Sequence, residues 1–168
     1  MIVRIAFILF LTVFSSPIFA LDSFPKPFED TNRKYGFKNS EGQIAIPAQF
    51  DFAYEFNSCG IAAVTDKSGW RYINVKNETV IVPFVFDNGP DYFSEGVARF
   101  VQDGKIGFFD SCGKIVIPAQ FDFADAFEGG RAKVCQGCMK SQDGEHTKWT
   151  GGKWSEINAN GVILSPFK

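Results

Sequence analysis

The chain has 168 residues, with 17 Lys and Arg against 19 Asp and Glu, a formal net charge of −2, and 20 Phe. No basic block breaks this near balance, which counts against nucleic acid or an anionic membrane face as partner. The heavy use of Phe, with Val, Ile and Tyr, favours β-structure.

Residues 1–20 read as a secretory signal peptide. Arg4 is followed by the apolar run Ile5 to Phe14, then by Ser15-Ser16-Pro17 and the small residue Ala20. The apolar run is too short to span a bilayer, which takes roughly 20 residues. Cleavage after Ala20 is expected, giving an exported protein, periplasmic or extracellular and not membrane-embedded. Removing these 20 residues leaves 148, and losing Arg4 takes the net charge from −2 to −3. That length suits one domain that buries about 70% of its unfolded surface. Residues 21–34, with two Pro and many charges, read as an extended lead-in. A single domain is expected over 35–168.

That domain is organised by a heptapeptide. Pro47-Ala48-Gln49-Phe50-Asp51-Phe52-Ala53 returns unchanged as Pro118 to Ala124, and a degenerate copy, Pro83-Phe84-Val85-Phe86-Asp87-Asn88-Gly89, lies between. The resulting period of 35 to 36 residues is that of a repeat architecture. Repeats are placed at about 35–68, 69–104 and 105–134, followed by an insertion over 135–152 and a partial repeat over 153–168.

Repeat one opens with Tyr35-Gly36-Phe37-Lys38, a polar turn to Gly42, and Gln43-Ile44-Ala45-Ile46. Two apolar runs about such a turn predict a β-hairpin. Gly42, Gly113 and Gly161 share the turn position where φ > 0 is required, and Asn77 takes it in repeat two, with one extra residue expected in that turn. Pro47, Pro83, Pro118 and Pro166 should each stop a strand or sit at an edge, because Pro has no N–H for a ladder. A Phe (Phe56, Phe93, Phe127) and a third strand then follow. In Val97-Ala98-Arg99-Phe100 and Arg131-Ala132-Lys133-Val134 the alternation predicts a half-buried strand. Among the heptapeptide residues, the two Phe are expected to seal one unit against the next. Asp51, Asp87 and Asp122 are expected to satisfy turn N–H groups, with a Ca²⁺-binding ladder as the alternative.

The recurring pattern, aromatic-Gly-aromatic, then Gly-x-Ile-Val-Ile-Pro-x-x-Phe-Asp-x-Ala, then Phe-x-x-Gly-x-Ala-x-Val, resembles the bacterial WG-repeat family over about 35–135 and 153–166. The name-giving dipeptide stands here as Tyr35-Gly36, Trp70-Arg71, Ile106-Gly107 and Trp154-Ser155. The resemblance implies stacked β-hairpin repeats, often exported, and carries over no catalytic residue. The fold expected is therefore all-β, three full repeats and one partial, stacked as an open or spiralling body. The alternative is closure as a small propeller or barrel, although a blade uses four strands over roughly 40–45 residues.

Candidate chemistry concentrates in the insertion. Cys135 and Cys138, with His146, could ligate zinc, completed by Asp143 or Glu145. In an oxidising compartment the same two Cys form a disulfide. Cys59 and Cys112 pair with each other or stay free. His146 is the chain's single His, and no Gly-x-Ser-x-Gly, phosphate-cradling loop or His-Glu-x-x-His is present. The expectation is a non-catalytic binding or scaffolding protein of the envelope, its partner a protein or an envelope glycan, with no cofactor beyond a structural zinc. The alternatives are a metalloprotein or metal-dependent enzyme built on the insertion, and a purely structural envelope protein. Function is expected at 135–152, where the period is broken.

Overall fold

The computed structural model describes residues 24–144 and 146–168, without the side chains of 143, 146 and 147. The signal-peptide reading of 1–20 lies outside the described residues. All regular elements among the described residues are β-strands. In chain order they are β1 (Lys26–Glu29), β2 (Tyr35–Lys38), β3 (Ile44–Phe50), β4 (Phe52–Ala53), β5 (Ile61–Asp66), β6 (Gly69–Asn74), β7 (Thr79–Ile81) and β8 (Val85–Phe86). Then come β9 (Gly89–Pro90), β10 (Val97–Gln102), β11 (Lys105–Asp110), β12 (Ile115–Phe121), β13 (Phe123–Ala124), β14 (Arg131–Asp143) and β15 (His146–Asn158).

The strands form successive small antiparallel sheets with no closed barrel: β1-β2-β3, β4-β5-β6-β7, β10-β11-β12 and β13-β14-β15, with the hairpin β8-β9 apart. The sheets are out of step with the sequence repeats. The last strand of one repeat pairs with the first strand of the next, as β5 does with β6 and β10 with β11. The N-terminal segment supplies the missing partner at the start. Its residues 26–29 are a strand on β2, so the lead-in is an ordered end-piece rather than irregular chain.

Each junction between neighbouring sheets has its own core. Phe37, Ile46, Phe50, Val64 and Ile73 fill the first, Ile61, Tyr72, Ile81, Phe100 and Phe109 the second, and Phe108, Ile117, Phe121, Phe127, Val134 and Ile157 the third. Because side chains alternate across a strand, β5 sends Ala62 and Val64 to one core and Ile61 and Ala63 to the next. Inner strands are thus buried on both faces. The half-buried reading holds for β14, where Arg131 and Lys133 are exposed, and fails for β10, where Arg99 is buried beside Ala98 and Phe100.

The Gly of the repeat signature answers to a steric demand. The register of β2 with β3 runs Tyr35 to Phe50 and then Phe37 to Ile46, so Gly36 faces a bulge that contains Pro47. A Cβ on Gly36 would lie 2.6 Å from the Ile46 carbonyl oxygen and the Ala48 nitrogen. Gly107 faces Pro118 in the same way, at 2.5 Å from the Ile117 oxygen. Pro47 and Pro118 therefore do not stop their strands, which run through them as edge strands. Repeat two differs: β7 ends before Pro83, which makes a single bridge to Phe100. Arg71 occupies the Gly position there and pairs with Asp66 at 2.7 Å.

The turn glycines adopt the left-handed region as expected, Gly42 at φ 79°, Gly113 at 81° and Gly161 at 75°, with Asn77 at 63°. The turn of repeat two has the same length as the others, so its extra residue lies after Asn77, on the way to Pro83. An Asx residue at the start organises each turn. Asn39, Asn74, Asp110 and Asn158 accept, through one side-chain oxygen, the N–H groups two and four residues on.

The insertion is no separate unit. It lengthens one hairpin: β14 and β15 keep a single register from Arg131–Asn158 to Asp143–His146. Gly137 and Gly152 face each other with φ of 76° and 64°, and a Cβ on Gly152 would lie 2.3 Å from the Cys138 nitrogen. Two disulfides are present, Cys59–Cys112 and Cys135–Cys138.

Candidate functional site

The heptapeptide divides its residues between core and surface. Phe50 and Phe121, with Ala53 and Ala124, are buried in the junction cores. The second Phe of each intact copy is less buried and lies against the aromatic of the signature dipeptide: exposed Phe52 on Tyr35 and Trp70, half-buried Phe123 on Trp154. Both Phe thus link units, the first within the junction core and the second at its edge, where Phe52 meets Trp70 of the next repeat and Phe123 packs against the third core and Trp154.

Asp51 pairs with Lys34, and Asp122 with Lys105. Asp122 also accepts the Gly137 N–H at 2.6 Å. Lys105, and then that N–H, hold its carboxyl below the usual carboxylate range. Lys34 and Lys105 precede the signature dipeptide in their repeats, whereas Gly69 stands there in repeat two. Asp87, which has no such lysine, sits with Asn88 at φ 48° and 63° in the two-residue turn of β8-β9. Among the described residues no group of three His, Cys, Asp or Glu is placed to hold a metal ion.

Cys135 and Cys138 are joined to each other, which occupies both thiols. His146 pairs with Asp143 at the hairpin tip, whereas Cys138 pairs with Gly151. The two positions are five steps apart along β14, about 17 Å at strand rise. The zinc set of Cys135, Cys138 and His146 is thus drawn apart by the hairpin. Asp143 and Glu145 side chains lie outside the described residues. Pro166 is exposed in the tail, where Lys168 pairs backbone to backbone with Trp154.

The site that sequence reading missed lies at the second junction. A cleft of about 490 Å³ opens over β5 and β6, between the segment after β4 and the segment after β9. Its aromatic walls are Tyr54, Tyr72, Tyr92 and Phe93. Tyr72 is 9% exposed, whereas Tyr54 is 50%, Tyr92 67% and Phe93 40% exposed. The origin is a departure from the repeat. Phe127, equivalent to Phe93, is 3% exposed in its core, against Phe108. In repeat two the degenerate heptapeptide folds back as β8-β9, and Phe93 reaches only the edge of Tyr72 and Phe109, at 6.5 and 5.4 Å.

No described group hydrogen-bonds the Tyr72 hydroxyl, and it is not sealed from solvent. Burial, then the nearby Asp91 charge and Tyr54, push its pKa up to about 12, so the hydroxyl keeps its proton and remains a donor. Asp91 is committed: its carboxylate accepts from the Arg99 backbone N–H and guanidinium at 2.7 to 2.9 Å, a pair with side chains 3% and 8% exposed. Arg99 also donates to the Ala124 carbonyl and stacks on Phe84, 4.4 Å from its centroid. Glu55, exposed in the same lining, forms no ion pair among the described residues.

The Cys59–Cys112 disulfide borders this cleft. It joins the Asn57–Ile61 turn before β5 to the Asp110–Lys114 turn after β11, with Cα atoms 5.1 Å apart. Asn57 reinforces it by donating to the Ser111 carbonyl at 2.6 Å. The degenerate heptapeptide, Tyr54 directly after the first intact copy and Tyr92 directly before Phe93 were the visible signals. A second groove, about 700 Å³, lies between Phe84, Phe86 and the outer half of the long hairpin at Lys140 and Trp149, where Phe123 stacks on Trp149 at 5.0 Å.

Comparison with curated proteins finds no match. The model for the WG containing repeat matches residues 35–69, 70–105 and 106–137, together more than half of the chain. The matched segments begin at the signature dipeptide, whose Gly the bulge at Pro47 and Pro118 requires. With three matched copies on an all-β stack, the chain belongs to the WG containing repeat family.

Proposed function

We propose that the chain is an exported, non-catalytic binding module whose ligand seats in the cleft of Tyr54, Tyr72, Tyr92 and Phe93. The observation that carries this reading is the Tyr72 hydroxyl, a hydrogen-bond donor held at the base of an aromatic cleft with no protein partner. The hydroxyl is open to the cleft and uncommitted to the protein, so a ligand oxygen can accept from it in place of water, among apolar walls that favour desolvation of the ligand. Export is supported by the layout of residues 1–20 and by the two disulfides, which belong to oxidising compartments.

Two measurements test the reading. Intact mass of the protein from its native compartment should correspond to a chain beginning at Leu21. Aromatic-resonance NMR of the purified protein, titrated with a small-molecule fraction of envelope extract, should shift the Tyr72 and Tyr92 signals. A full-length mass would remove the export part. Cleft resonances that stay fixed across fractions would remove the binding part.

A further inference from the structure

Resting on the binding reading, we infer that this cleft is a carbohydrate site that takes a neutral oligosaccharide, its pyranose faces on Tyr54, Tyr92 and Phe93 and a hydroxyl on Tyr72. Three features of the cleft sort ligands by chemistry.

The first is size. A volume of about 490 Å³ falls within the range of small-ligand pockets, roughly 300–1,000 Å³. It exceeds what a single ammonium group or a single aromatic ring would fill. A short oligosaccharide occupies it.

The second is the division between flat apolar surface and sparse polar groups. A pyranose ring presents C–H faces and hydroxyl edges. Exposed tyrosine and phenylalanine rings suit the faces, because they combine large area with few rotatable bonds. The Tyr72 hydroxyl and the free Glu55 carboxylate, a donor and an acceptor, suit the edges. The Asn57 amide, also in the lining, is already spent: it donates to the Ser111 carbonyl and accepts from the N–H groups of Cys59 and Ile61.

The third is charge. The lining contains Glu55 and Asp91 and no Lys or Arg. Arg99 neutralises Asp91 from behind, so acidic and phosphorylated ligands meet the uncompensated charge of Glu55 and no cation in the lining. The Arg99 clasp on Asp91 further separates binding from cleavage. Glycoside hydrolysis uses two carboxyl groups in most families, and here only Glu55 is uncommitted.

The experiment titrates the full disulfide-bonded protein with cellotriose, chitotriose, maltotriose and mannotriose, and with trigalacturonate and tetramethylammonium as contrasts. Binding is read by calorimetry and by the Tyr72 and Tyr92 resonances. At least one neutral trisaccharide should bind and be recovered intact. Tyr72→Phe, which removes one oxygen, should weaken it about fivefold to tenfold. Tyr92→Ala, at an exposed position, should weaken it about tenfold or more, with both variants melting near the parent temperature. Failure of all four neutral sugars, equal binding of trigalacturonate or tetramethylammonium, cleavage of the sugar, or indifference to Tyr92→Ala would each overturn the inference. If extract shifts the cleft resonances while none of the four sugars does, the carbohydrate assignment falls and the binding module stands. If neither shifts them, both fall.

Discussion

The Cys59–Cys112 bond supplies a large stabilisation whose size follows from the chain length it closes. It joins two turns on neighbouring sheets and closes a separation of 53 residues. Loop-closure entropy for a ring of that size corresponds to about 4 kcal/mol at 25 °C. Whole domains are stable by only about 5–15 kcal/mol, so removal should be conspicuous. The test is urea unfolding of the parent and of Cys59→Ala/Cys112→Ala, each followed by intrinsic fluorescence. With an m-value near 2 kcal/mol/M, the midpoint should fall by about 2 M. Reductant should bring the parent down to the variant and leave the variant little changed. The Cys135–Cys138 ring, with a separation of 3, supplies a contrast, because so short a loop constrains the unfolded chain far less. If the Cys59/Cys112 variant unfolds within a few tenths molar of the parent, the turns are held by packing and by the Asn57–Ser111 hydrogen bond alone, and the entropic reasoning is wrong. The same variant should loosen the cleft, since Asn57, Ile61 and Ser111 line it.

Other expectations follow from single contacts. Gly107→Ala drives a methyl to 2.5 Å from one backbone oxygen and 2.6 Å from a backbone nitrogen, and should cost about 3 kcal/mol or more. Gly42→Ala, at φ 79° with open space around it, should cost only about 1 kcal/mol, and paired thermal melts compare the two. Asp91→Ala leaves the Arg99 guanidinium buried without its carboxylate and should destabilise by about 3–5 kcal/mol. Asp91→Leu/Arg99→Met should recover much of that loss in the same melts. For acid behaviour, the Arg71 hydrogen bond lowers the Asp66 pKa to about 2. A carboxyl depressed in the folded state contributes stability above its unfolded value near 3.8 and loses it as pH falls toward 2. Arg71→Gln should therefore flatten the stability profile between pH 4 and pH 2 by about 1 kcal/mol or less.

Whatever depends on neighbours along the chain is legible in the residues alone. The period of the heptapeptide, the positive-φ turn positions and the absence of helical spacing specify stacked β-repeats, because turn chemistry and side-chain alternation act over a few residues. The family follows from the same local pattern. Whatever depends on which segments meet emerges only from the packed fold. Sheets straddle the repeats because the last strand of one unit finds its partner in the next, so Arg99 is buried where alternation placed it outside. The register of β14 on β15 carried His146 away from Cys138, and the stacking of two sheets brought Cys59 to Cys112 across 53 residues. The cleft is the clearest case. No spacing announces it, since it arises where β8-β9 folds back in repeat two and leaves Phe93 at the rim and Tyr72 beneath, its hydroxyl without a partner.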